Sequence, residues 1–212
     1  MNPTDGRIPA GRFRQLGPIN WVIAKLGART LRAPEMHLFT TLGQRQLLFW
    51  TWLAYGGRLL RGKLPTVDTE LVILRVAHLR ACEYELQHHR RMARRAGLDA
   101  DIQAAIFAWP ERLGQVESRL TVRQQALLAA TDEFVKDRTV TDTTWRQLAA
   151  HLDRRQLIEF CLLASQYDGL AATMSALEIP LDNPQQLQVD VNEDGQRQHH
   201  GKDRQPEGER GP

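Results

Sequence analysis

Apolar residues recur at steps of three and four along nearly all of this 212-residue chain, the spacing that gathers side chains on one face of an α-helix. After a lead-in containing Pro and Gly, Asn20 to Leu26 reads as a short helix. Pro34 opens a longer helical region through His37, Leu38, Leu42, Leu47 and Leu48 towards Leu60, with a break near Gly43. Pro65 interrupts the pattern, and Asp68 is the expected N-cap of the next helix. Glu70 to Leu79 (ELVILRVAHL) is apolar on almost every side, the mark of a central buried helix. Leu98-Asp99 starts another helix through Ile102, Ile106 and Trp109, closed by Pro110. Thr121-Val-Arg-Gln124 spells a capping box ahead of Ala126 to Val135, and Thr141 caps a segment through Trp145 to Leu152. Asp153-Arg-Arg-Gln156 caps the last long helix, through Phe160, Leu163, Tyr167, Leu170 and Met174, which Pro180 stops. No period-two alternation or hairpin signal competes, so the expected fold class is all-α. Residues 1–184 are expected to form one domain, and the polar stretch 185–212, rich in Gly and charge, a disordered tail.

One helix has an unusual inner stripe. In ACEYELQHHRRMARRAG (Ala81 to Gly97), Cys82, Glu85, Leu86, His89, Met92, Ala93 and Ala96 share one side, while Arg90, Arg91, Arg94 and Arg95 point elsewhere. Cys82, Glu85 and His89 can do chemistry, where a plain core would use Leu, Val or Ile. Glu70, on the apolar helix just before, is a further buried carboxylate, which must be paired, hydrogen-bonded or neutralised. A break near Arg80-Ala81 would restart the second helix with Cys82 in its first turn, where unpaired N–H groups favour a thiolate. Glu70, Cys82, Glu85 and His89 are therefore the candidate catalytic residues, aimed into one shared hollow. Three of them come from a single helix, an awkward source for a closed tetrahedral metal site, so neither a metal nor another cofactor is expected. His88 is expected to face sideways, towards solvent or an interface. Cys161 reads as inert packing, and Phe49, Trp50, Trp52 and Tyr55 as core or subunit contact.

Composition narrows the picture mainly by exclusion. The 42% hydrophobic and 25% charged residues are the ordinary balance of a soluble globular protein. The net charge of +3 is mild and Lys and Arg are scattered among acids, which argues against a nucleic-acid partner. Two cysteines far apart are not a disulfide scaffold, so a reducing cytoplasm is expected. The N-terminus has no apolar signal-peptide core. The uncharged run QLLFWTWLAYGG (Gln46 to Gly57) is well short of the roughly 20 residues that span a bilayer, and no membrane association is expected.

The spacing Glu70, Cys82, Glu85, His89, followed by ARRAGL, resembles the carboxymuconolactone decarboxylase-like proteins, a family that includes alkylhydroperoxidase D (AhpD). ELVILRVAHLRACEYELQHHRRMARRAGL and the closing YDGLAATMSALEIPLD (Tyr167 to Asp182) carry the likeness, which runs from about Arg7 to Asn183. The resemblance implies an AhpD-like helical bundle that assembles as a homo-oligomer (dimer, trimer or hexamer), with Glu70 and His89 handling protons and Cys82 as the reacting thiol. The departures matter as well. Glu85 stands where alkylhydroperoxidase D has the second cysteine of its redox pair, and Tyr84 where it has a further histidine. A carboxylate cannot form a disulfide, so the two-cysteine cycle does not carry over unless Cys161 lies within bridging distance of Cys82. Glu85 is expected to orient His89 one turn away and to raise the Cys82 thiol pKa.

Three readings follow. The leading one is a thiol-dependent, peroxidase-type oxidoreductase in which Cys82 attacks a peroxide, Glu70 and His89 relay protons, and an external thiol or Cys161 regenerates the enzyme. The second is a cofactor-independent decarboxylase or hydrolase acting on a small carboxylated lactone through Glu70, Glu85 and His89. The third is a non-catalytic oligomerisation or binding module that keeps the polar cluster for packing.

Overall fold

The computed structural model describes residues 6–31, 33–110 and 119–183. The tail expected from residue 185 lies outside the described residues. Every long regular element is an α-helix and no strand occurs among the described residues. In chain order the helices are α1 Phe13–Leu31, α2 His37–Leu42, α3 Gln46–Leu59, α4 Thr66–Leu79, α5 Glu83–Ala96, α6 Ala100–Ala108, α7 Val122–Asp137, α8 Asp142–Ala149 and α9 Arg154–Leu177. None of them is long and apolar enough to cross a membrane.

The buried centre is α4. Leu71, Val72, Ile73, Leu74, Val76 and Ala77 are wholly inaccessible, and the helix packs against α5, α6, α7 and α9. A helix surrounded on four sides has no polar face to offer, which explains its continuous apolar sequence. The one cation it buries, Arg75, is neutralised by a two-pronged contact with Asp132 of α7 at 2.6 and 2.8 Å. The helix starts earlier than expected. Pro65, extended at φ −55° and ψ 143°, occupies the N-cap position, and its carbonyl accepts the first helical bond from Thr69 N–H at 2.9 Å. Asp68 is thus no cap; it is buried in the first turn and paired with Arg123 Nη2 at 2.7 Å.

The other boundaries follow local chemistry. Asp99 caps α6 by accepting from Ile102 N–H at 2.9 Å. Thr121–Gln124 and Asp153–Gln156 form reciprocal capping boxes on α7 and α9, and Thr141 caps α8. The longest helix, α9, ends at Leu177 with Glu178 left-handed at φ 50°, three residues ahead of the proline expected to stop it. The first helix is longer than the expected Asn20 to Leu26. Gly17, at φ 72° and ψ 168°, interrupts the helical backbone, so α1 is two helical stretches joined at a kink, the second opened by Pro18; glycine accepts the positive φ, and proline suits the first turn of a helix. The break expected near Gly43 separates α2 from α3. Phe49 is buried, but Trp50 (45% exposed) and Tyr55 (39% exposed) face outward on α3, beside the exposed Leu47 and Leu48. The bulky run therefore divides between core and surface within one chain.

The turn between α4 and α5 sets the stage for the site. Ala81 is left-handed at φ 49°; its N–H donates to His78 O at 3.1 Å and that of Cys82 to Ala77 O at 2.8 Å. These two bonds make a Schellman closure with alanine where glycine is usual. The chain reverses sharply, and Cys82 becomes the N-cap of α5.

Candidate functional site

Reversal at Ala81 brings α5 back along α4, so that residues 19 apart in sequence meet. His89 Nδ1 lies 2.9 Å from Glu70 Oε2, with both side chains nearly sealed from solvent. A carboxylate accepting from Nδ1–H fixes the tautomer and leaves Nε2 as the free proton acceptor. The ring of Tyr167, from α9, stands edge-on to the imidazole at 5.2 Å between centroids, and holds it in place from the other side. His89, Glu85 and Tyr167 line a cavity of about 250 Å³ whose remaining wall is chiefly apolar, including Phe39, Trp52 and Leu170.

Glu85 is the least comfortable residue here. Both carboxylate oxygens are buried without a hydrogen-bond partner among the described residues. Burial first, and then the nearby charge of Asp168, push its carboxyl up to about 9, so it holds its proton at neutral pH and is a hydrogen-bond donor. Asp168 itself is held below the usual carboxylate range: burial opposes this, but the bonds from Arg80 and Arg138 outweigh it.

Of the four candidates, Glu85 and His89 line the cavity, and Glu70 reaches it only through His89. Cys82 does not line it either and packs with Leu38, Tyr84, Ala171 and Met174. Burial and then the neighbouring Glu85 push its thiol up to about 12, against the weaker pull of the Glu85 and Tyr84 backbone N–H groups. The helix N-terminus thus loses the contest that the sequence left open. Cys161 is also free and packs against the separate main core. The expected inner stripe of α5 therefore splits three ways: Glu85, His89 and Met92 line the cavity, Leu86 and Ala93 join the main core, and Cys82 caps the helix.

A second polar cluster was not anticipated. Asp182, beyond the end of α9, has a side chain with no exposed surface. Its Oδ2 accepts from Tyr84 Oη at 2.6 Å and lies 3.0 Å from His88 Nε2. Its Oδ1 accepts from His37 N–H at 2.7 Å and lies 2.8 Å from His37 Nδ1. Burial would raise this carboxyl, but the bonds from His37, His88 and Tyr84 outweigh it and hold it at about 2. His88, expected to face sideways, instead lines the cavity together with Tyr84. Only the i, i+4 spacing of Tyr84 and His88, whose rings meet at 4.9 Å, offered a local signal.

Glu85 yields a direct stability prediction. A carboxyl that ionises near 4.5 in the unfolded chain and near 9 in the fold keeps its proton in the native state while the unfolded chain releases it. Native stability therefore falls as pH rises through that interval, by at most about 1.4 kcal/mol per unit. Glu85→Gln cannot ionise, so its stability relative to wild type should rise by roughly 2–4 kcal/mol between about pH 5 and pH 8. Guanidinium unfolding at each pH measures this, and a constant difference would contradict a neutral, buried Glu85.

Residues 46–131, from α3 into α7, match the carboxymuconolactone decarboxylase family; the segment holds Glu70, Cys82, Glu85 and His89 but not His37, Tyr167 or Asp182. No curated protein sequence matches the chain. Among solved structures, the alkylhydroperoxidase AhpD core of an uncharacterized peroxidase-related protein from Ralstonia eutropha JMP134 is similar with a TM-score of 0.71 at 15% identity, over 86% of this chain and 95% of that one. An uncharacterized peroxidase-related protein from Silicibacter sp. TM1040 gives 0.69 at 14% identity, over 84% and 92%. A protein of unknown function from Agrobacterium tumefaciens, described as a putative antioxidant defence protein AhpD, gives 0.57 at 17% identity, over 63% and 90%. At such identities the likeness is one of fold. The all-helical AhpD-like architecture expected from the sequence is thus present, and residues 46–131 carry the match to the carboxymuconolactone decarboxylase family.

Proposed function

We propose that this protein is an acid–base enzyme acting on a small, largely apolar molecule with an acidic or carbonyl group, of the carboxylated-lactone type suggested by its family's name. The observation that carries the reading is the Glu70–His89 contact at 2.9 Å behind a cavity that His89 lines and Cys82 does not. Glu70 orients the ring, Nε2 takes or gives a proton at the substrate, and neutral Glu85 donates its O–H to an oxygen on which negative charge develops. In a decarboxylation His89 first takes a proton from solvent at Nε2; the carbon–carboxylate bond then breaks, CO₂ leaves, the electron pair enters the lactone as an enolate held by Glu85, and the Nε2 proton passes to carbon. The chiefly apolar wall excludes water and strengthens both contacts.

The peroxidase reading is kept as the second one. Its support is the placement of Cys82 at the N-cap of α5, with the Tyr84 and Glu85 N–H groups favouring its thiolate, and the peroxidase-related names of the structural relatives. An external thiol would then serve as reductant. In either reading, the apolar side chains exposed on α1 (Ile19, Trp21, Val22, Leu26) and α3 (Leu47, Leu48, Trp50) support assembly with further copies of the chain.

Two variants separate the readings. Carboxylated γ-lactones incubated with the full chain should turn over with Cys82→Ser at close to the wild-type rate, and with His89→Gln roughly a hundredfold or more slower. Loss of turnover in Cys82→Ser with retention in His89→Gln would reverse the assignment.

A further inference from the structure

The cavity is faced by two imidazoles, and the proposed reaction has so far used one. We propose that His88, held by Asp182, is a second proton-transfer residue, so that the site can remove a proton from one atom of a bound molecule and return one to another. The inference rests on the acid–base reading above and adds a substrate class to it: carbonyl compounds that isomerise through an enol, such as unsaturated lactones.

The geometry is that of two opposed pairs. Glu70 engages Nδ1 of His89 at 2.9 Å, whereas Asp182 engages Nε2 of His88 at 3.0 Å. The rings are therefore fixed in opposite tautomers, with Nε2 of His89 and Nδ1 of His88 left to serve the cavity both residues line. Neither of these nitrogens has a hydrogen bond to another described residue. Successive residues on a helix project about 100° apart, so the two rings meet a shared ligand from different directions.

Asp182 is a positioning residue, not a catalytic one. Its carboxylate is fully covered and accepts from Tyr84, from the His37 backbone and from the imidazoles, which ties the chain beyond α9 to α2 and α5. The charged and titratable groups around His88 are accordingly Asp182, Tyr84 and His37, with Glu35 4.0 Å from the far side of the His37 ring, and Glu85 and His89 across the cavity.

The step balances without an oxidant or reductant. His89 Nε2 takes the proton α to the lactone carbonyl; the C–H pair moves into the ring as a dienolate, whose oxygen accepts the Glu85 O–H. Protonated His88 then gives its Nδ1 proton to the γ carbon, and the N–H pair stays on nitrogen. Solvent resets the two rings.

A β,γ-unsaturated γ-lactone in D₂O is the probe, with the full chain as enzyme and NMR as readout. Wild type should exchange the α hydrogen and form the α,β-unsaturated isomer labelled at the γ carbon. His88→Gln and Asp182→Asn should keep α exchange while isomerisation falls roughly a hundredfold; His89→Gln should lose both. A merely structural role for Asp182 would lower exchange and isomerisation together and so overturn the proposal. Isomerisation at the wild-type rate in His88→Gln would overturn it while leaving the His89 assignment intact. No exchange and no isomerisation by wild type would overturn both.

Discussion

Replacing Arg75 with methionine should destabilise the protein by about 3–5 kcal/mol, because the change breaks a buried ion pair from one side only. Arg75 is 2% exposed in the most buried helix. Its Nε and Nη2 donate to the two oxygens of Asp132 on α7, and its Nη1 to the carbonyls of Ile106 and Phe107 at the end of α6, at 3.0 and 3.4 Å. One guanidinium thus joins three helices and supplies positive charge where the α6 dipole favours it. Methionine fills much of the space but leaves the Asp132 carboxylate with Lys136, whose ammonium is half exposed at 2.9 Å, and leaves the Ile106 carbonyl short of a donor. Guanidinium unfolding of Arg75→Met should show the loss. The double change Arg75→Met with Asp132→Leu should recover most of it, since removing both charges removes the desolvation cost as well. A single variant within about 1 kcal/mol of wild type would mean that solvent reaches Asp132.

The parts of this fold that could be read from sequence are those governed by neighbours in the chain. The capping boxes at Thr121 and Asp153, the break at Gly43 and the wholly apolar α4 each depend on residues a few positions apart. So does the reversal near Arg80-Ala81, which permits the Glu70–His89 contact. Asp68 misled because an acidic residue before an apolar run looks like a cap; the preceding proline already filled that position, and Asp68 pairs instead with Arg123, 55 residues away. Asp182 was invisible for the same reason on a larger scale. Its partners are 94, 98 and 145 residues distant, and nothing in the local pattern of EIPLD marks a buried carboxylate. His88 looked sideways because helix periodicity orients it only relative to α5, and the chain beyond α9 packs on that flank.

The remaining large effect concerns Cys82. Its thiol is pushed from the ordinary 9.0 to about 12, chiefly by burial, so thiolate is scarce at neutral pH, and attack on peroxide or an alkylating agent should slow by roughly ten- to a hundredfold. Burial at 9% exposure within an apolar cluster acts in the same direction, by limiting access. Unfolding removes both restraints, so the suppression should vanish in guanidinium. This separates a shielded cysteine from one already modified.

The most direct measurement is brief exposure of the folded, full-length protein to hydrogen peroxide with a sulfenic-acid trap, followed by peptide mass spectrometry. An acid–base site centred on Glu70 and His89 predicts no adduct at Cys82 under conditions that label an unfolded control. Rapid, selective labelling of Cys82 in the folded protein would contradict it and return the sulfur to the centre of the chemistry.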